Sequence, residues 1–176
     1  MIEYLCGLPK CGKSLLAEEA FRKSGGRILY VGTLPRIRLY TETIRIHQER
    51  RPKEWDLYEC NGEPSQDIAW LTDALERYDG ILLDGASFYL YRALCYCNLG
   101  ESELERFNAL LAKAAVLPVR FVLIDQPLAN VPRDIHVAGR LLHGRIYRYC
   151  HSLSYVEAGT QYPCSAGKLR QLDRGG

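Results

Sequence analysis

The tightest constraint on this chain lies in its first fourteen residues. A short apolar run, 2–6, leads directly into Gly7-Leu8-Pro9-Lys10-Cys11-Gly12-Lys13-Ser14, which satisfies G-x-x-x-x-G-K-[S/T] at every fixed position. Each fixed residue has a physical task. Gly7 and Gly12 admit backbone conformations closed to other residues, so the loop can curl with its amide groups aimed at an anion. Lys13 supplies positive charge to the β- and γ-phosphates of a nucleotide, and the Ser14 hydroxyl is placed to meet Mg²⁺ where a helix begins. The flanks agree with the motif: 14–23 carry apolar residues at helical spacing, Leu16 with Ala20 and Ala17 with Phe21, and Ser24-Gly25-Gly26 stops the run. The chain is therefore expected to bind a nucleotide, with Mg²⁺ at Ser14.

Beyond the loop, apolar runs and helical patterns alternate. Strands are predicted over 27–32, 55–60, 81–84, 119–124 and 155–157, and helices over 37–51, 66–78, 87–98, 101–116 and 130–152. This predicts an α/β fold with a mostly parallel sheet flanked by helices, in one domain spanning 1–176. Ile81-Leu82-Leu83 ends in Asp84, the expected second contact to Mg²⁺ at the carboxyl edge of the sheet. An aspartate capping the next helix is the other reading of that position. Gly32-Thr33-Leu34 falls at the end of the second strand, beside the phosphate loop in a parallel sheet. In the helix over 37–51, Ile37, Tyr40, Ile44 and His47 share one face, and Pro52 ends the run. On spacing alone His47 reads as the edge of a buried stripe, although Arg45, Arg50, Arg51 and Lys53 beside it could gather phosphates.

Composition excludes several classes. The chain is 47% hydrophobic and 25% charged with a net charge of +2, so nothing demands a nucleic acid or an anionic membrane as partner. No apolar run approaches the roughly 18 residues of a membrane span, and the N-terminus lacks a signal-peptide pattern, so a cytoplasmic location is expected. The seven cysteines are expected as reduced thiols, with Cys95 and Cys97 as small buried residues. The tail 159–176, rich in small and polar residues, is assigned no element. A guanine-reading Asn-Lys-x-Asp is absent, which excludes a conventional GTPase.

The order of these pieces has a known parallel. A phosphate loop on the first strand, then His47-Gln48-Glu49-Arg50-Arg51-Pro52, Trp55 and Glu59, then a strand ending in Asp84, resembles the adenosylcobinamide kinase / adenosylcobinamide-phosphate guanylyltransferase family of cobalamin biosynthesis. The similarity continues through Val131-Pro132 and the helix bearing Arg140 and Arg145. It implies a RecA-like P-loop fold, often trimeric, and two reactions with GTP or ATP as substrates. One phosphorylates the aminopropanol hydroxyl of adenosylcobinamide; the other passes GMP from GTP, through a guanylyl-histidine, onto that phosphate. By the resemblance His47 is the catalytic nucleophile, a task suited to a neutral imidazole nitrogen near pH 7. The implied nucleotide contacts are Gly7, Leu8, Pro9, Lys10, Cys11, Gly12, Lys13, Ser14, Gly32, Thr33, Leu34, Gln48, Glu49, Arg50, Arg51, Glu59 and Asp84, with Mg²⁺ on Ser14 and Asp84. The corrinoid is the implied partner of the nucleotide. The chain is a divergent member by this reading: Thr43, Leu141, Tyr147 and Arg148 replace residues usual in the family, and the stretch 125–130 is short. Two other readings follow from these features. One is a kinase for another small alcohol, given the altered 125–130 stretch. The other is a regulatory nucleotide-binding module with Phe88-Tyr89-Leu90-Tyr91 as a partner surface.

Overall fold

Strict side-chain alternation along the strands sorts the apolar residues onto two faces of one sheet. The computed structural model describes residues 1–93, 101–128 and 136–174. Its strands are β1 (Ile2–Gly7), β2 (Ile28–Gly32), β3 (Asp56–Glu59), β4 (Gly80–Asp84), β5 (Arg120–Asp125), β6 (Ser152–Glu157) and β7 (Thr160–Pro163). They lie in the order β3-β2-β4-β5-β1-β6-β7, parallel except for the β6–β7 hairpin. The helices are α1 (Lys13–Ser24), α2 (Thr41–Arg50), α3 (Pro64–Ala74), α4 (Ala86–Tyr91), α5 (Glu101–Val116), α6 (His136–Tyr149) and α7 (Ala166–Asp173). One face presents Tyr4, Leu29, Val31, Ile81, Leu83, Phe121 and Leu123 to α3, α5, α6 and α7. The other presents Leu5, Ile28, Tyr30, Leu82, Val122 and Ile124 to α1, with Phe21 packed edge-on against Trp55 at 6.1 Å between centroids. Register brings Gly32 level with Asp84, and Cys6 level with Asp125, so the strand ends meet along one carboxyl edge.

Several elements differ from expectation. The helix expected to run to 152 ends at Tyr149, and the strand expected from 155 begins at Ser152, because Ser152 already pairs with Glu3 of β1. The helix expected from 37 begins at Thr41: Ile37 is extended (φ −115°, ψ 159°) and leads into a short 3₁₀ turn, Arg38–Tyr40. No residue of α2 is buried, because its apolar stripe turns toward an open cleft. The helix expected over 66–78 runs Pro64–Ala74, since proline presets the first helical turn and moves the start ahead of Ser65. The tail assigned no element forms β7 and α7. Cys95, Cys97 and Val131-Pro132 lie outside the described residues. Tyr89 is 3% exposed and its hydroxyl donates to Glu103 Oε2 at 2.6 Å, so this part of the Phe88–Tyr91 stretch faces the core.

The tail is fastened by a buried polar cluster. Asp173, ending α7, accepts from Leu128 N–H at 3.1 Å and Tyr147 O–H at 3.0 Å, and lies 3.0 Å from His143 Nδ1. His143 Nε2 lies 3.2 Å from Asp125 Oδ2, which also accepts from the Ser87 N–H and hydroxyl. All three charged members are at most 5% exposed. Burial by itself lowers the pKa of His143, but hydrogen bonds and charge from Asp125 and Asp173 outweigh it and raise the value to about 9. Tyr147, one of the departures from the family pattern, thus acts as a donor within this cluster.

Candidate functional site

The phosphate loop spans the gap between β1 and α1. Gly12 adopts φ 97° immediately before the helix, a conformation that side chains resist, and Lys10 also takes a positive φ of 64°. Gly7 is required for a different reason: a Cβ there would sit 2.5 Å from Val156 O and 2.6 Å from Cys11 Sγ. The β6–β7 turn supports the loop from the side, with Gly159 N–H donating to Cys11 O at 2.8 Å. Lys13 folds back so that its ammonium donates to Leu8 O at 2.9 Å. Leu8, Pro9 and Lys10 are exposed along the rim.

Beside the loop, a cleft runs along the carboxyl ends of β2, β3 and β4, under α2. Asp84 is its electrostatic centre. Its Oδ2 accepts from Ser14 Oγ at 3.1 Å and Tyr30 O–H at 2.7 Å, and lies 3.2 Å from His47 Nδ1. The Tyr30 oxygen is 2.8 Å from the same His47 nitrogen. Burial works to raise the Asp84 pKa, yet hydrogen bonds and charge from His47, with those from Tyr30 and Ser14, hold it below the usual carboxylate range. At the far end Glu59 pairs with Arg36 and accepts from Gln48 Nε2 at 2.8 Å. The Arg51 guanidinium lies 5.2 Å from the centre of the Tyr30 ring.

Most residues expected at a site are brought together here. Gly32, Thr33, Leu34, His47, Gln48, Arg51, Glu59 and Asp84 line the cleft, and Ser14 reaches Asp84 from the loop. The Thr33 hydroxyl is spent internally, on the carbonyl oxygens of Asp84 (2.8 Å) and Gly85 (2.6 Å), where it ties β2 to β4. Glu49 and Arg50 face elsewhere: a helix turns 100° per residue, so His47 and Gln48 share the cleft side with Ile44 while 49 and 50 turn away, and Arg51 reaches the cleft as the extended residue that ends α2. Glu49 pairs with Arg45, while Arg50 forms a two-pronged bond to buried Glu18 of α1 at 2.8 and 2.6 Å. Tyr30, Arg36 and Leu57 line the cleft without having been expected there. Tyr30 sits inside an apolar run, and only the Gly32–Asp84 register reveals that it points along the sheet toward the carboxylate.

Among the described residues no group of three or more His, Cys, Asp or Glu gathers as a metal cage. Ser14 and Asp84 instead offer two hard oxygen donors next to the phosphate loop. Such a donor set fits Mg²⁺, which takes one or two protein oxygens and completes its shell with phosphate and water. No helix among the described residues is long and apolar enough to cross a membrane.

The family model for cobinamide kinase / cobinamide phosphate guanyltransferase matches residues 4–153. The chain belongs to that family. Membership supports a nucleotide-dependent transferase of cobalamin biosynthesis with kinase and guanyltransferase activity. No curated protein matches the chain at a significant level. Solved structures similar in fold include a KaiC-like protein of the hyperthermophilic archaeon Pyrococcus horikoshii, with TM-score 0.54, 12% identity, and coverage of 88% of this chain and 69% of that one. A RadB recombinase gives TM-score 0.56 and 19% identity, covering 88% and 73%. At these identities the likeness is one of fold, and it is RecA-like.

Proposed function

We propose that this single nucleotide-binding domain transfers GMP from GTP to adenosylcobinamide phosphate through a guanylyl group on His47, and phosphorylates adenosylcobinamide at the same loop. The observation that carries the reading is convergence. His47 and the phosphate-loop residue Ser14 meet on one carboxylate oxygen, Asp84 Oδ2, at 3.2 and 3.1 Å.

In the guanylyl transfer a ring nitrogen of His47 attacks the α-phosphorus of GTP. The N–P bond forms while the bond from that phosphorus to the pyrophosphate oxygen breaks, and pyrophosphate leaves with the electron pair. An oxygen of the corrinoid phosphate then attacks the same phosphorus, and the imidazole leaves with the pair it first donated. In the kinase step the corrinoid hydroxyl oxygen attacks the γ-phosphorus instead; the bond from that phosphorus to the bridging oxygen breaks, the nucleoside diphosphate leaves with the electron pair, and the hydroxyl proton goes to solvent. Lys13 exchanges its weak bond to Leu8 O for the phosphates, and Arg51 adds positive charge on the cleft side. Ser14 and Asp84 would hold Mg²⁺, which supplies charge neutralisation at the phosphates.

The test is incubation with Mg²⁺ and GTP labelled on the α-phosphate, in parallel with γ-labelled GTP, followed by denaturation. Protein-bound, acid-labile and base-stable label from α-GTP alone, missing in His47→Ala, is the expected result. Label retained in His47→Ala refutes the assignment.

A further inference from the structure

Tyr30 sits in the middle of the site, and its proton decides how the neighbouring groups are arranged. The phenol oxygen lies 2.7 Å from Asp84 Oδ2 and 2.8 Å from His47 Nδ1, and that nitrogen lies 3.2 Å from the same Oδ2. Three groups converge on Asp84 Oδ2, Ser14 Oγ at 3.1 Å, the phenol oxygen at 2.7 Å and His47 Nδ1 at 3.2 Å, the surroundings of an ionised carboxylate, which only accepts. The phenol proton therefore goes to Oδ2. Were it turned toward His47, the phenol and carboxylate oxygens would face each other lone pair to lone pair at 2.7 Å. With that proton spent, Nδ1 must be the donor, and the phenol oxygen receives it. A neutral imidazole whose proton is on Nδ1 carries its lone pair on Nε2.

We infer that Tyr30, together with Asp84, is a positioning residue that fixes His47 as the Nδ1–H tautomer and so makes Nε2 the atom that attacks phosphorus. This deepens the guanylyl-histidine reading and rests on it. The placement is built into the fold: Tyr30 is level with Leu82, two residues below the Gly32–Asp84 pair, so its phenol extends up the sheet to the carboxylate. From the other side, the bond between Arg50 and Glu18 fastens α2 to α1 and sets the height of the imidazole. The Tyr30 ring meets the imidazole edge-on at 68° with centroids 6.5 Å apart.

The two transfers then need no proton movement at His47. Attack by Nε2 leaves the Nδ1 proton where it was, so the ring is cationic while it carries GMP and faces the Asp84 carboxylate. Attack by the acceptor oxygen returns the electron pair to Nε2 and restores the neutral Nδ1–H ring.

The experiment reads the tautomer directly, by ¹⁵N NMR at alkaline pH on the full chain with labelled histidine. The His47 signal is assigned among the four histidines by its loss in His47→Ala. Wild-type protein is expected to show a protonated Nδ1 and an unprotonated Nε2. In Tyr30→Phe, which keeps the ring but deletes the hydroxyl, that preference is expected to collapse. The rate of α-label attachment is expected to fall about 10- to 100-fold, as when the partner orienting a functional histidine is removed, with GTP affinity unchanged. A protonated Nε2 in wild type, or a Tyr30→Phe protein that keeps both tautomer and rate, overturns the inference. Absence of α-label in wild type refutes the guanylyl-histidine reading itself, and the spectrum of the nucleotide-free protein still decides whether Tyr30 governs the ring.

Discussion

Replacing His143 with glutamine isolates the buried cluster that fastens α7. The imidazole lies 3.2 Å from Asp125 and 3.0 Å from Asp173, and its pKa is raised from an ordinary 6.5 to about 9. A difference of that size corresponds to about 3 kcal/mol of differential interaction between the two protonation states. Because the folded-state value is the higher one, the folded chain holds the proton more tightly than the unfolded chain. The stabilisation is therefore present in full below about pH 6.5 and is lost as pH rises through about 9. Glutamine keeps hydrogen-bonding capacity but has no charge to lose. Urea unfolding of both proteins at pH 6, 7.5 and 9 should show wild type ahead at pH 6, with its lead shrinking by about 3 kcal/mol toward pH 9. A lead that is the same at both ends of the range refutes the charged-cluster argument.

Gly7→Ala should destabilise by about 1–3 kcal/mol, the usual cost of overpacking, because its Cβ meets Val156 O; thermal melting and GTP titration should fall together. Lys13→Ala should abolish nucleotide binding in calorimetry yet leave stability within about 0.5 kcal/mol, since the side chain makes one exposed hydrogen bond. Glu18→Gln breaks the bond that anchors α2. Arg50 is 30% exposed there, so about 2 kcal/mol is expected in chemical unfolding, below the 3–5 kcal/mol of a fully buried pair.

How much of this was legible depended on the range of the interactions involved. The phosphate loop, α1 and β4 announce themselves because motif and periodicity are local, and Asp84 follows from an apolar run ending in a carboxylate. Of the charged residues after His47, the sequence could not say which face the cleft, because α2 begins at Thr41 and its stripe turns to solvent and not to the core. Tyr30 looked like any aromatic in a strand, since its role depends on a partner 54 residues away. The tail was the least readable part. α7 contributes Leu169 and Asp173 as its buried residues, and β7 is exposed throughout, so neither carries an apolar rhythm. What holds α7 in place is a polar cluster whose members meet across 18 and 30 positions of sequence.

The strand that delivers the phosphate loop is made before both of the strands that flank it. β1 lies between β5 and β6, and its neighbours are residues such as Phe121 and Ser152. A growing polypeptide that has already emitted the phosphate loop therefore has nowhere to put it until synthesis has passed β5, β6 and the turn at Gly159 that braces Cys11. The phosphate loop thus reports on elements made after it: a nascent chain is expected to gain nucleotide affinity only once Gly159 has been made, and removing β6 and β7 is expected to silence a motif that the cut never touches.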